Sequence, residues 1–284
     1  HPVYGFAYGL GTDSGYRSAA WFPAFGGQIF NSAIQPELNS PQDIAAISFL
    51  YNLTYVYHVS PKGLKTMPQQ YSLFENNETA FMVDGPWDQS VYSSYLGSNL
   101  GVAPLPYNNM TGDWPEPIWG SIGYSISTPK ASGATQSQIW ASIQFVKYET
   151  NYTAQLHLFE KAGDFPSLKS VGNYISTNTT IESKDPLISG WVAQEAHTQI
   201  DPSYVQMNYY WPNFATYVGN LYDNGTNNVT SAMNAFQKAV ENDISPPTPT
   251  IPSIYYIIAG VVAAVVVIAG VASYYYVSKK KTRK

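Results

Sequence analysis

Apolar residues recur along this chain with two different periods, and the places where each period holds predict its elements. Between Gln136 and Glu149, Ile139, Ile143 and Val146 repeat at helical spacing beside Trp140, which predicts an amphipathic helix. Another helix is announced by Ser40 as N-cap, Pro41 in the first turn and Asp43 three residues on, with Ile44, Ile47, Tyr51 and Phe49 or Leu50 as apolar positions. A third follows Asn228, where Val229, Met233, Phe236 and Val240 form one stripe. Ala80-Phe81-Met82-Val83 is a short apolar run stopped by Gly85-Pro86 and reads as a buried strand; Ile122, Tyr124 and Ile126 alternate and read as another. Helix and strand patterns that alternate in this way predict α/β architecture.

The longest apolar run behaves differently. Ile254 to Val277 carries no charge and is followed by Lys279, Lys280, Lys281, Arg283 and Lys284. Such a run is long enough to cross a hydrocarbon core of roughly 30 Å, and Tyr255, Tyr256 and Tyr274 to Tyr276 sit where interfacial aromatics belong. The expectation is a single-pass membrane helix over residues 254–277, a basic cytoplasmic tail over 278–284, and an extracellular globular part held off the lipid by the stiff Pro/Thr linker 246–253. Seven N-x-S/T sequons, at Asn52, Asn77, Asn109, Asn151, Asn178, Asn224 and Asn228, point to a glycosylated exterior. An outward-facing region needs export, yet the chain begins at His1 with no export signal, so an upstream segment is expected.

Composition narrows the function classes. The chain has 14 Lys+Arg against 19 Asp+Glu, and five of the cations lie in the tail, so the outer region is acidic and nucleic acid is excluded as a partner. Charged residues make up only 12% of the chain; few carboxylates to protonate suits an acidic exterior. With no cysteine there is neither a disulfide nor a thiolate metal site, and no cofactor is expected. His1, His58, His157 and His197 are scattered, and no P-loop, dinucleotide or G-x-S-x-G pattern occurs, so no enzyme activity is expected. Asp84 and Asp88 could be imagined as a glycosidase pair, but their spacing on one turn gives no assurance that they face a common bond.

The most specific local signal is Phe74 to Trp87, where a strand delivers Trp87 from a Gly-Pro turn. At a strand's end, where ligands of α/β sheets lie, an indole face suits the apolar face of a sugar ring, and Asp84 and Asp88 could accept from its hydroxyls; a core Trp capping the sheet is the alternative.

The pattern E-N-N-E-T-A-F-M-V-D-G-P-W, followed by Gly101-Val-Ala-Pro-Leu-Pro106 and Trp119-Gly120-Ser121-Ile122-Gly123-Tyr124, resembles the maltose-type extracellular solute-binding proteins of ABC importers. Gly26-Gly27 before the Ser40 helix, Ala162 to Ser167, and Gln206 to Trp211 are similar to further family motifs, in the same order. The resemblance implies a two-lobed periplasmic-binding-protein-like fold with an incomplete first lobe, plus the C-terminal transmembrane helix. Residues 1–119 would be part of the second lobe, 120–183 a return segment of the first, and 184–245 a helical return to the second. It further implies that Trp87 and Trp211 stack on sugar rings, that Tyr16 matches an aromatic on the first ligand-facing helix, and that Trp119 and Gly120 sit where the chain crosses between lobes. Asp84 and Tyr210 join these as ligand-binding residues. Ordinary packing is the competing reading for Tyr16 and Trp119. By this resemblance Ser14 stands at a position suited to a carboxylate in the family, which leaves the sugar open. The tether, the sequons and the lack of cysteine resemble an archaeal cell-surface form. The implied function is capture of a sugar or oligosaccharide for ABC permease subunits; the rival is a glycosylated structural protein of a surface layer or filament.

Overall fold

A computed structural model describes residues 3–9, 14–120 and 122–245. In chain order the elements are β1 (Tyr4–Ala7), α1 (Ser14–Ala19), α2 (Trp21–Ala24), α3 (Pro41–Tyr55), α4 (Met67–Glu75), β2 (Thr79–Met82), α5 (Gln89–Leu96) and β3 (Ile118–Trp119). They continue with α6 (Pro129–Ser132), α7 (Gln136–Glu149), α8 (Tyr152–Ala162), α9 (Lys169–Thr177), α10 (Thr179–Lys184), α11 (Ile188–Glu195), β4 (Gln199–Ile200), α12 (Met207–Phe214), a π-helical turn at Ala215–Gly219, α13 (Asn220–Asn224) and α14 (Val229–Ile244). The apolar run expected to span a membrane lies outside the described residues, as do its linker and tail. Among the described residues, no helix is long and apolar enough to cross a membrane.

Two parallel strand pairs are joined by helical crossovers. β1 pairs with β2 in the register Tyr4↔Thr79, Phe6↔Phe81 and Ala7↔Met82. β3 pairs with β4 through Ile118↔Gln199 and Trp119↔Ile200. Parallel neighbours need long connections, and helices α1 to α4 supply the first of them.

The capped helices form where their local signals lie. Ser40 Oγ accepts from the Asp43 amide at 3.1 Å to start α3, and Thr135 and Gln138 exchange side-chain-to-backbone hydrogen bonds at the start of α7. The strand expectations fare worse. β2 is not a buried strand: Ala80 is exposed and Phe81 is 70% exposed, because among the described residues β1 is its one strand partner. Ile122, Tyr124 and Ile126 do not form a strand; they lie outside any helix or strand and are exposed, since alternation supplies a face but not a neighbour. Likewise no residue of α7 is buried, and Trp140, Phe145 and Tyr148 of that helix are exposed.

The main core lies between α2, α3, α12, α13 and α14, where Phe22, Ile47, Leu50, Tyr210, Phe214, Tyr222, Met233, Phe236 and Val240 are buried. A smaller cluster joins Phe159, Val171, Ile175 and Ile188, and a third gathers Tyr92, Leu96 and Leu100 under Phe74 and Met82. Gln237 fastens the loop before α3 to α14 by accepting from the Leu38 amide and donating to the Pro36 carbonyl, each at 2.7 Å.

Asp43 is an exception inside this core. It is fully buried against Gly27, and neither carboxyl oxygen has a hydrogen-bond partner. Burial raises its pKa from 3.8 to about 7; the charge of Glu37 adds to the rise, and the nearby Ser40 hydroxyl and Gln28 amide offset only part of it. The folded protein therefore holds this proton where the unfolded chain has lost it. The resulting stability is fully present below the unfolded value and is lost as pH rises through about 7. Asp43→Asn should flatten the fall in melting temperature between pH 4 and pH 7, read by circular dichroism across that range. A parent protein whose melting temperature rises over the same interval would contradict this.

Candidate functional site

The chain leaves β2 through Val83, Asp84 and Gly85 into a 3-10 turn at Pro86–Asp88 that carries Trp87. The indole is 47% exposed. It folds back over Gly85, where a β-carbon would come within 2.1 Å of the ring, so a side chain there would expel it. The turn ending α8 abuts the same feature: Gly163 has φ +79°, and a β-carbon on it would approach the Pro86 carbonyl oxygen to 2.8 Å.

Asp84 does not face solvent. Its Oδ1 accepts from Arg17 Nη2 at 2.6 Å and from the Gly85 amide at 2.9 Å, and its Oδ2 accepts from the Tyr92 hydroxyl. Arg17 Nη2 also donates to Tyr71 Oη at 3.2 Å, and its Nη1 contacts Met67 Sδ. The side chain expected to accept from a ligand is thus engaged by three protein donors. Burial, then the charge of Asp84 and a hydrogen bond with it, raises the pKa of Asp88, so the second carboxyl of the turn is held towards its neutral form.

A second set of rings gathers around α1. Tyr16 is part-buried; its hydroxyl donates to the Ile118 carbonyl at 2.6 Å, and its ring centre lies 6.4 Å from that of Trp211. Gly120 is exposed, and a β-carbon on it would lie 3.4 Å from the Tyr16 hydroxyl. Tyr16, Trp211 and Gly120 are therefore brought together. Trp119 stands on the β3–β4 pair with its ring edge-on to Phe165 at 6.1 Å. Gln199 on β4 donates to the carbonyls of Ala19 and Glu116 at 3.1 and 2.7 Å, which ties this pair to the end of α1.

Tyr210 requires a correction. It is 0% exposed, its hydroxyl donates to the Gly15 carbonyl at 3.1 Å, and its ring packs on Phe214 and Phe236. The ring fills the core, and its neighbour Trp211 is the part-exposed one. Sequence reasoning passed over Arg17 and Tyr92, and it gave Phe165 no role of its own within the Ala162–Ser167 motif. For Arg17 a signal existed, as the one charged residue between Ser14 and Phe30.

The sequon asparagines divide by environment. Asn77, Asn109 and Asn224 are exposed outside helix starts. Asn151 and Asn178 cap α8 and α10, and Asn228 accepts from the Ser231 amide at the start of α14. Asn52 lies inside α3, and the Thr54 of its sequon is buried against the Tyr222 hydroxyl at 2.5 Å.

The structure thus presents an exposed indole on a strand-end turn and, against α1, a Tyr16–Trp211 ring pair. Residues 4–188 match the family model described as bacterial extracellular solute-binding protein, and the chain belongs to that family. No curated protein sequence matches it. Solved structures share the fold. The maltose/maltodextrin-binding domain MalE from Bdellovibrio bacteriovorus bound to maltotriose is 22% identical with a TM-score of 0.71, over 85% of this chain and 60% of that one. MalX from Streptococcus pneumoniae in complex with maltopentaose is 20% identical with a TM-score of 0.69, over 84% and 60%. UgpB from Mycobacterium tuberculosis in complex with glycerophosphocholine is 17% identical with a TM-score of 0.65, over 85% and 58%. The chain thus spans about 60% of the length of the MalE and MalX chains and 58% of UgpB.

Tyr210→Phe should cost about 1 kcal/mol in urea unfolding, because the Gly15 carbonyl loses a buried partner, and should leave ligand affinity unchanged. A loss of affinity without loss of stability would return Tyr210 to the binding face.

Proposed function

We propose that this protein is the receptor of a sugar ABC importer, capturing an oligosaccharide of the maltodextrin type outside the cell and passing it to permease subunits without reacting with it. The observation that carries the reading is the aromatic set Trp87, Tyr16 and Trp211, on a fold whose solved relatives include maltotriose- and maltopentaose-bound proteins. Flat rings with exposed faces bind the apolar faces of pyranoses, and the nearby hydroxyls and carbonyls orient them.

Capture would work by closure of two lobes around the ligand, which favours the closed state through contacts made only there. Residues 1–119 and 184–245 would belong to one lobe and 120–183 to the other, with the chain crossing at Trp119 and Gly120. Support comes from the short β3–β4 pair, which joins segments distant in sequence by few bonds and so offers a compliant link. In this reading residues 254–277 tether the protein in the cell membrane with residues 278–284 on the cytoplasmic side, and glycans occupy the exposed sequons at Asn77, Asn109 and Asn224.

The reading is tested by titrating the full-length protein with maltose, maltotriose and maltopentaose and following tryptophan fluorescence, with Trp87→Ala and Trp211→Ala alongside. Saturable quenching is expected for at least one sugar. Each substitution should weaken it about tenfold or more, equivalent to about 1.4 kcal/mol. A folded protein that responds to none of the three sugars would overturn the proposal.

A further inference from the structure

The ion pair beneath the Trp87 turn has no part in the function proposed above, although its side chains are only 11% and 5% exposed. The Lys65–Asp223 pair, by contrast, has side chains 60% and 32% exposed. A buried pair gains little net stability over apolar residues of similar size, because desolvation offsets the attraction. What it supplies is direction: charge-assisted hydrogen bonds are short and fix the groups they join.

The directions here are specific. Asp84 receives hydrogen bonds from Arg17 on α1, from Tyr92 on α5 and from the Gly85 amide of its own turn. Gly85 is the residue on which the indole of Trp87 rests. Arg17 is fixed in turn by Tyr71 and Met67 of α4. Immediately before Arg17 stands Tyr16, whose hydroxyl reaches the Ile118 carbonyl and whose ring lies beside Trp211. The short helix α1 therefore holds the Trp87 turn through one residue and the Tyr16–Trp211 platform through the next.

We infer that Arg17 and Asp84 are positioning residues that keep Trp87 in register with Tyr16 and Trp211, so that ligand affinity depends on a charge pair that the ligand does not touch. The dependence of affinity rests on the sugar-binding reading above; the positioning of Trp87 does not.

The test reads Trp87 by itself. The chain has seven tryptophans, so each variant is compared with the same variant carrying Trp87→Phe, and the difference spectrum is taken. In the full-length protein, Arg17→Met should red-shift the Trp87 emission, raise its quenching by acrylamide and weaken maltotriose binding about tenfold or more, as displacement of a binding group by an ångström does. Arg17→Lys keeps the charge but loses the fork, and should restore part of both signals. A purely structural pair would lower the melting temperature while leaving the Trp87 spectrum and the affinity of the folded protein unchanged, and that result overturns the inference. If Arg17→Met does not fold, Tyr92→Phe removes a single donor from Asp84 and should shift Trp87 in the same direction; an unchanged spectrum there is equally fatal. A parent protein that binds no maltotriose would remove the sugar reading, while the Trp87 spectra would still decide the positioning role.

Discussion

Burying a tyrosine ring takes its hydroxyl out of water, and the fold keeps the benefit of the ring only if that hydroxyl finds a partner inside. Tyr8, Tyr210 and Tyr222 are all buried in this protein, and the molecule is organised around satisfying them. Tyr222 donates to the Tyr8 carbonyl at 3.0 Å and lies 2.5 Å from Thr54 Oγ1. Ser60 closes on both backbone groups of Tyr8, and Tyr8 Oη meets Ser18 Oγ at 2.9 Å. Tyr210 reaches Gly15. Two of these contacts, at Gly15 and Ser18, end on α1, the helix that carries Tyr16 and Arg17. In a chain without cysteine and with little charge, buried hydroxyls take over the work of fixing one segment against another, and α1 is held in place by them.

Distance along the chain governs which parts of the molecule can be read from sequence. Helices α3, α7 and α14 announce themselves because a cap and a stripe lie within a few residues of each other, so local chemistry suffices. Strands are another matter: Ile122, Tyr124 and Ile126 alternate as a strand should, but pairing requires a neighbour that no local pattern supplies. At the candidate site Trp87 is legible as an aromatic on a strand-end turn, whereas Tyr16 and Trp211 enter only through the family resemblance and their meeting is visible only in the fold. The division of labour between Tyr210 and Trp211 is not legible either, because consecutive aromatics differ only in the rotation of α12. Asp84 looked available for the same reason that Arg17 looked incidental: their contact joins residues 67 positions apart.

The family membership and the clustered aromatic side chains fit together. A receptor that must release its cargo gains from rings that contribute through shape and area, since such contacts strengthen and weaken with closure and opening rather than with proton transfer. The rise in the Asp43 pKa belongs to the same economy of charge. An interior carboxyl that stays neutral in acid favours the folded state there, in line with a surface that carries few groups to titrate.

Asn52 and Asn77 show how order of events can be written into a fold. Asn77 sits exposed with a left-handed φ of 57° after α4, in a position open to a modifying enzyme at any time. The Thr54 hydroxyl that completes the Asn52 sequon is closed off by Tyr222, a residue 168 positions later in the chain. A glycan on Asn52 would have to arrive before α3 meets α13, whereas one on Asn77 would carry no such deadline. Were both sequons used, the ratio of the two occupancies would be a chronometer, set by whether sugar transfer or the closing of the core comes first.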